Sequence, residues 1–224
     1  MTANVELEQP PITYQGQFGS FTIEETDRQD VVWYRAGLAI AALSFGLGAL
    51  GILRYGEVDW VVQGVSVLYT ILWLGLGLSL LKIHIYLRPL HRLLQAFWLV
   101  GGVASLALAH FSPEPFAPTV SHQPAPLWGV GFTFAALTGI LFHEAFCFNR
   151  VATKVLTLFL PFLLLGQLFQ LLPTAWEAML LVILALIFAI FALRKVVVPI
   201  PPDIGDKSVF DYLEQQRQPS ASSV

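Results

Sequence analysis

An all-α polytopic membrane domain of six transmembrane helices, with both termini on the cytoplasmic side, follows from three features of this sequence. Of its 224 residues, 56% are hydrophobic and 12% charged, half the charged share of an ordinary soluble domain. Six apolar segments are each long enough, or nearly so, to cross a hydrocarbon layer of about 30 Å. If they alternate in direction, eleven of the twelve Lys and Arg residues share one side: Arg28, Arg35, Lys82, Arg88, Arg92, Arg150, Lys154, Arg194, Lys195, Lys207 and Arg217. Only Arg54 falls on the other. Basic loops are retained in the cytoplasm or its organellar equivalent, which sets the orientation.

Residues 1–30 read as a polar N-terminal tail, 31–195 as the membrane domain and 196–224 as a C-terminal tail. The first 30 residues lack a basic start and an apolar core, so the first span is expected to act as its own insertion signal. Within this tail, Ile12 to Ile23 spaces aromatics with glycines, the pattern of a turn or short hairpin. Thr22 and Glu25 have capping-box spacing for a helix running into the first span. That span covers about Val31 to Leu53, with Trp33 and Tyr34 at aromatic-belt depth and Arg35 near enough to the interface to snorkel out. An acidic loop, Tyr55 to Asp59, leads to the second span, about Trp60 to Leu81. The most basic loop, Lys82 to Arg92, precedes the third, about Leu93 to Phe111.

Five prolines in Ser112 to Pro126 suggest an ordered, non-helical crossing. The fourth span starts near Leu127 and reaches 22 residues if it includes His143 to Phe148. The fifth covers about Val155 to Leu172, ended by Pro173. Thr174 is expected to cap the sixth, about Ala175 to Leu193, with Glu177 completing a capping box. Val196 to Pro202 reads as an extended polyproline-type stretch. Ser208 to Gln216 reads as a short amphipathic helix whose apolar contacts are Val209, Phe210, Tyr212 and Leu213. Four apolar groups on a segment too short to be stable alone need a protein surface, so these residues are the expected partner-docking contacts.

Several function classes fall away. A net charge of -3 argues against nucleic-acid binding. The single cysteine, Cys147, permits no intrachain disulfide. Gly46-Leu-Gly-Ala-Leu-Gly51 matches a dinucleotide pattern but lies inside an apolar span, without the strand and helix opening that would aim amides at a pyrophosphate. With Gly75, Gly77, Gly101 and Gly102, these glycines read instead as points of close helix approach. The densest polar group is Arg35, His143, Glu144 and Arg150, an interfacial cluster expected to be structural, with Arg35 a candidate partner for Glu144. His143 and Cys147 share a helical face, and His84 or His91 could approach them, but a lone ligand pair is half a metal site. No metal or other cofactor is predicted. No Asp, Glu, Lys, Arg or His lies near a midplane, where coupled carriers place them. The central polar groups include Gln63, Ser66, Thr70, Ser105, Thr133, Thr138 and Gln167.

Tyr14 to Ile23, Tyr34 to Leu38, Ile83 to His91, Gly131 to Gly139, His143 to Arg150 and Pro199 to Phe210 together resemble a family of integral membrane proteins from cyanobacteria and plastids, filed as a domain of unknown function. The resemblance implies a thylakoid or plasma membrane of a cyanobacterium and carries no catalytic residue. The expected function is a non-enzymatic accessory or assembly factor that binds another membrane complex within the bilayer. The alternatives are a carrier or pore for a small neutral solute or pigment, and a metal-dependent membrane enzyme. A closed bundle favours the first, a polar cavity lined by Gln63, Thr70 and Gln167 the second, and convergence of His84 or His91 on His143 and Cys147 the third.

Overall fold

The computed structural model describes residues 12–217. A two-stranded antiparallel hairpin comes first, β1 (Thr13–Gln15) and β2 (Ser20–Thr22), with Tyr14 opposite Phe21. Helices follow: α1 (Glu25–Tyr55), α2 (Asp59–Lys82), α3 (Arg88–Phe111), α4 (Phe116–His122), α5 (Leu127–Phe148), α6 (Val151–Leu168), α7 (Thr174–Val197), α8 (Pro201–Ile204) and α9 (Ser208–Arg217). By length and composition α1, α2, α3, α5, α6 and α7 can cross a membrane. The chain divides into two compact units. One is Trp33–Val198; the other joins, among the described residues, 12–32 with 199–217.

In the first unit, each long helix turns one apolar stripe inward and another outward. Leu38, Ala41, Leu76, Leu80, Ala136, Ile140, Leu156, Leu184 and Phe188 pack a continuous core. Leu43, Leu81, Phe146, Leu158 and Leu193 stay exposed, as suits a surface solvated by lipid tails. Small residues set the helix spacing. A side chain on Gly37 of α1 would strike the Gly75 carbonyl of α2, and one on Gly75 would strike the Gly37 carbonyl. A side chain on Gly101 of α3 would strike the hydroxyl and the backbone amide of Thr133 on α5. Gly46, Gly48 and Gly51 do not mark a close crossing: around Gly46 there is open space, and a Cβ on Gly48 or Gly51 would make ordinary contact.

Helices α2 and α3 are joined by two tryptophans that treat each other alike. The rings of Trp73 and Trp98 stack 4.5 Å apart at 8°. Trp73 Nε1 donates to the Trp98 carbonyl at 2.9 Å, and Trp98 Nε1 donates to the Trp73 carbonyl at 2.8 Å. Each ring occupies the space over a glycine of the opposite helix, Trp73 over Gly102 and Trp98 over Gly77. A local two-fold relation thus exists between Trp73-Leu-Gly-Leu-Gly77 and Trp98-Leu-Val-Gly-Gly102. Both indole protons find acceptors, as burial away from water requires.

Four local expectations need correction. The proline-rich loop contains α4. Pro115 is its N-cap and Pro118 lies in its first turn, where a missing N–H breaks no helical bond. Helix α6 lies four residues earlier than expected, at Val151–Leu168, with Pro161 inside it. It ends before Pro173 because Gln170 takes φ 52. The Leu171 amide then reaches the Gly166 carbonyl at 2.8 Å and the Gln170 amide reaches Gln167 at 3.1 Å, the Schellman arrangement that closes a helix end. Helix α7 begins at Thr174 with Pro173 as N-cap and no side-chain cap bond, so Thr174 is its first residue and not its cap. The helix continues through Val197, and Pro201–Ile204 is helical with Ile200 already in the helical region, which leaves Val198 extended and only Pro199 between it and that turn. Prolines at the first positions of α8 are compatible with that turn.

Candidate functional site

Helical periodicity carries two charges into the interior of the Trp33–Val198 unit. On α5, Glu144 continues the buried stripe of Thr133, Leu137 and Ile140; on α7, Lys195 continues that of Leu184, Phe188 and Phe191. Lys195 Nζ lies 2.8 Å from Glu144 Oε2, with side-chain exposures of 0% and 2%. The Tyr34 hydroxyl of α1 donates to Glu144 Oε1 at 2.6 Å. The ammonium also sits 4.3 Å from the centre of the Phe148 ring and 5.5 Å from that of Tyr34. Three helices are therefore tied at one point by a dry ion pair with aromatic walls. Either charge alone would be costly there; together they offset most of each other's dehydration.

Arg35 is 8% exposed and does not reach outward as expected. Its Nη1 donates to the Val198 carbonyl at 2.7 Å, closing the C-terminal end of α7 where carbonyls lack helical partners. The sequence names Arg35 as a candidate partner for Glu144 and gives Lys195 only as one of the cations on the cytoplasmic side; the structure brings Lys195 and the Tyr34 hydroxyl to this carboxylate.

The other polar candidates disperse. His143 Nε2 is 3.5 Å from the sulfur of Cys147, which is exposed. His91 holds the Leu80 carbonyl at 2.6 Å, satisfying the end of α2. His84 is half-buried in the loop after α2. Among the described residues no group of three or more His, Cys, Asp or Glu could hold a metal ion. Among them too, His143 Nδ1 and Arg150 Nη1 are buried without a hydrogen-bond partner, and the Arg150 guanidinium lies 5.4 Å from the Phe148 ring centre. Gln63 is exposed, and Gln167 donates to the Ser121 carbonyl at 3.1 Å. Thr70 borders a cavity with Ser66 and Tyr69 that neither glutamine lines.

The second unit brings together sequence segments almost 190 residues apart. The Gln17 amide donates to Asp206 Oδ2 at 2.6 Å and the Phe18 amide to Ser208 Oγ at 3.1 Å. Ser208 donates its hydroxyl to Asp206 Oδ1 at 2.6 Å. A side chain on Gly16 would collide with Asp206 and Ser208. Lys207 pairs with Asp27 at 2.7 Å. Asp27 also accepts the Glu24 amide at 2.8 Å, so the start of α1 is closed by Asp27 rather than by the expected Thr22–Glu25 box. Tyr212 stacks on Phe18 with centroids 4.0 Å apart at 4°, and Val209, Phe210 and Leu213 are half-buried. Burial alone would raise the Asp206 carboxyl, but the Ser208 hydroxyl and the Gln17 and Ser208 amides outweigh it and hold the group below the usual carboxylate range.

Residues 78–212 match the family described as uncharacterized integral membrane protein (DUF2301). That is more than half of the chain, and the chain belongs to this family. Neither a curated protein nor a solved structure matches it.

Proposed function

For a member of this integral membrane family, we propose the role of a non-enzymatic accessory or assembly factor, which binds another membrane complex through its paired tails. The observation that carries this reading is the contrast between the two units. In the bundle the buried Lys195 and Glu144 pair with each other and packed apolar side chains form a continuous core. The hairpin and the C-terminal segment, by contrast, form a tightly bonded unit that keeps Ile12 at 67% and Phe18 at 46% exposure. Apolar groups fixed at a surface by specific hydrogen bonds suit recognition of a protein partner. The positive-inside pattern would put this unit in the cytoplasm or its equivalent, and the resemblance to cyanobacterial and plastid proteins favours a photosynthetic membrane.

The test is purification of the full chain and of a form lacking Pro199 to Val224 from the native membrane at equal expression. The full chain should bring down a defined complex, with cross-links mapping to 12–23 and 199–217. The truncated form should insert normally and lose the complex. Full recovery of the complex by the truncated form would place the contacts in the spans and overturn the proposal.

A further inference from the structure

Helix α4 closes a cavity of about 150 Å³ between α2 and α3. Its wall includes Ser66, Tyr69, Thr70 and Trp73 of α2, Ser105 of α3 and Phe116 of α4. The helix is fastened on several sides. Thr119 and Ser112 hydroxyls meet at 2.8 Å. Glu57 of the α1–α2 loop lies 2.8 Å from His122 Nε2 and accepts the Ser121 hydroxyl at 3.0 Å. Gln167 of α6 holds the Ser121 carbonyl. Phe116 packs against Tyr69 with centroids 4.8 Å apart, which closes the cavity on the α4 side.

Size and chemistry narrow what the cavity can take. A pocket of about 150 Å³ accommodates a single benzene-sized ring. Among the described residues, Tyr69, Trp73 and Phe116 give the wall three aromatic groups, and no Asp, Glu, Lys, Arg or His lines the space. A charged ligand would lose its hydration without a counter-ion, at a cost of several kcal/mol. Ser66, Thr70 and Ser105 supply three hydroxyls. Ser66 bonds back to the Val62 carbonyl at 2.9 Å and Thr70 to the Ser66 carbonyl at 3.1 Å. Such bonds within one turn are weak competitors, so both hydroxyls can turn to a ligand or accept from it. Ser105 Oγ lies 2.6 Å from the Gly101 carbonyl and 2.7 Å from the Tyr69 hydroxyl. It has one proton for two neighbours, which leaves its oxygen open to exchange.

The entry route is lateral. Thr70, Leu106 and Ala109 on the wall are exposed on the outer surface of the bundle. Ser66 to Trp73 lie about 10 to 21 Å along α2 from Asp59, inside a hydrocarbon layer of about 30 Å. A ligand there arrives dissolved in the membrane. We propose that this cavity binds the headgroup of a quinone-type lipid: a neutral six-membered ring with carbonyl or hydroxyl groups on its edge. The proposal is independent of partner binding by the tails.

The test uses the full chain in lipid nanodiscs titrated with a short-chain prenyl benzoquinone, read by quenching of tryptophan fluorescence. Quenching should saturate, and a prenyl alcohol of the same tail should not compete. Ser66→Leu, which fills the cavity, should weaken binding at least tenfold, and Ser105→Ala several-fold, with melting temperatures checked for both. Should Ser66→Leu fold poorly, Thr70→Val keeps the shape, removes a hydroxyl at an exposed position, and should weaken binding several-fold. Quenching that rises linearly without saturation, competition by the alcohol, or unchanged affinity in the folded variants would each overturn the proposal.

Discussion

Replacing Lys195 by methionine removes a charge from a site with no exposure and takes its counter-ion from the Glu144 carboxylate, which is 2% exposed and keeps the Tyr34 hydroxyl as a donor. At 2.8 Å the Coulomb attraction is about 6 kcal/mol for an effective dielectric constant of ~20, before dehydration is subtracted. Dehydration offsets much of that when both ions are present, but stays uncompensated when one is removed. Loss of one partner of a buried pair costs about 3 to 5 kcal/mol. Lys195→Met and Glu144→Gln should therefore each lower the unfolding free energy by an amount of that order. The double variant buries no lone charge and should recover about 2 to 3 kcal/mol relative to the sum of the singles. The assay is reversible unfolding in mixed micelles by titration with a denaturing detergent, followed by tryptophan fluorescence. If the single effects add within about 0.5 kcal/mol in the double variant, the two charges act independently and the ion-pair account fails.

Reporter fusions at Pro118 in α4 and at the C-terminus should report opposite sides of the membrane, with the C-terminus cytoplasmic, and the same side for both would refute the orientation drawn from eleven clustered cations. In the tail unit, Asp206 has a folded-state pKa below its unfolded value. Its contribution is thus fully present above about pH 4 and is lost as pH falls through the folded value. Protection factors for the Gln17 and Phe18 amides should be high at pH 6 and fall at more acidic pH. Asp206→Ala should show the low values at both, and unchanged protection would refute the role assigned to this carboxylate.

The spans were legible because hydropathy and length leave few other assignments for such segments, and α5 matches the expected 22 residues of Leu127–Phe148. What failed was local chemistry that contradicts the usual signals. Gln170 at positive φ closes α6 without a glycine to announce it. Pro115 and Pro118 sit at the N-cap and in the first turn of α4, positions that tolerate proline. Lys195 follows Arg194 at the end of an apolar run, where a cation of the cytoplasmic side is expected. Its spacing from Leu184, Phe188 and Phe191 held the contrary signal: it continues the face that packs inward. Glu144 stands in the same relation to Leu137 and Ile140. The tail motifs were each visible, but the meeting of Gln17 with Asp206 was not, since nothing in either segment names a partner so far along the chain.

That meeting has a consequence for how the chain is made. The hairpin is synthesised early, yet the residues that complete it lie 189 and 190 positions later. At about 5 to 20 residues per second, the amides of Gln17 and Phe18 wait on the order of 10 to 40 s for Asp206 and Ser208. All six spans leave the ribosome in the interval. A closed tail unit therefore marks a chain that has been translated past α7, its last membrane-spanning helix, and a partner that recognises only the closed form would ignore chains that stop within the spans.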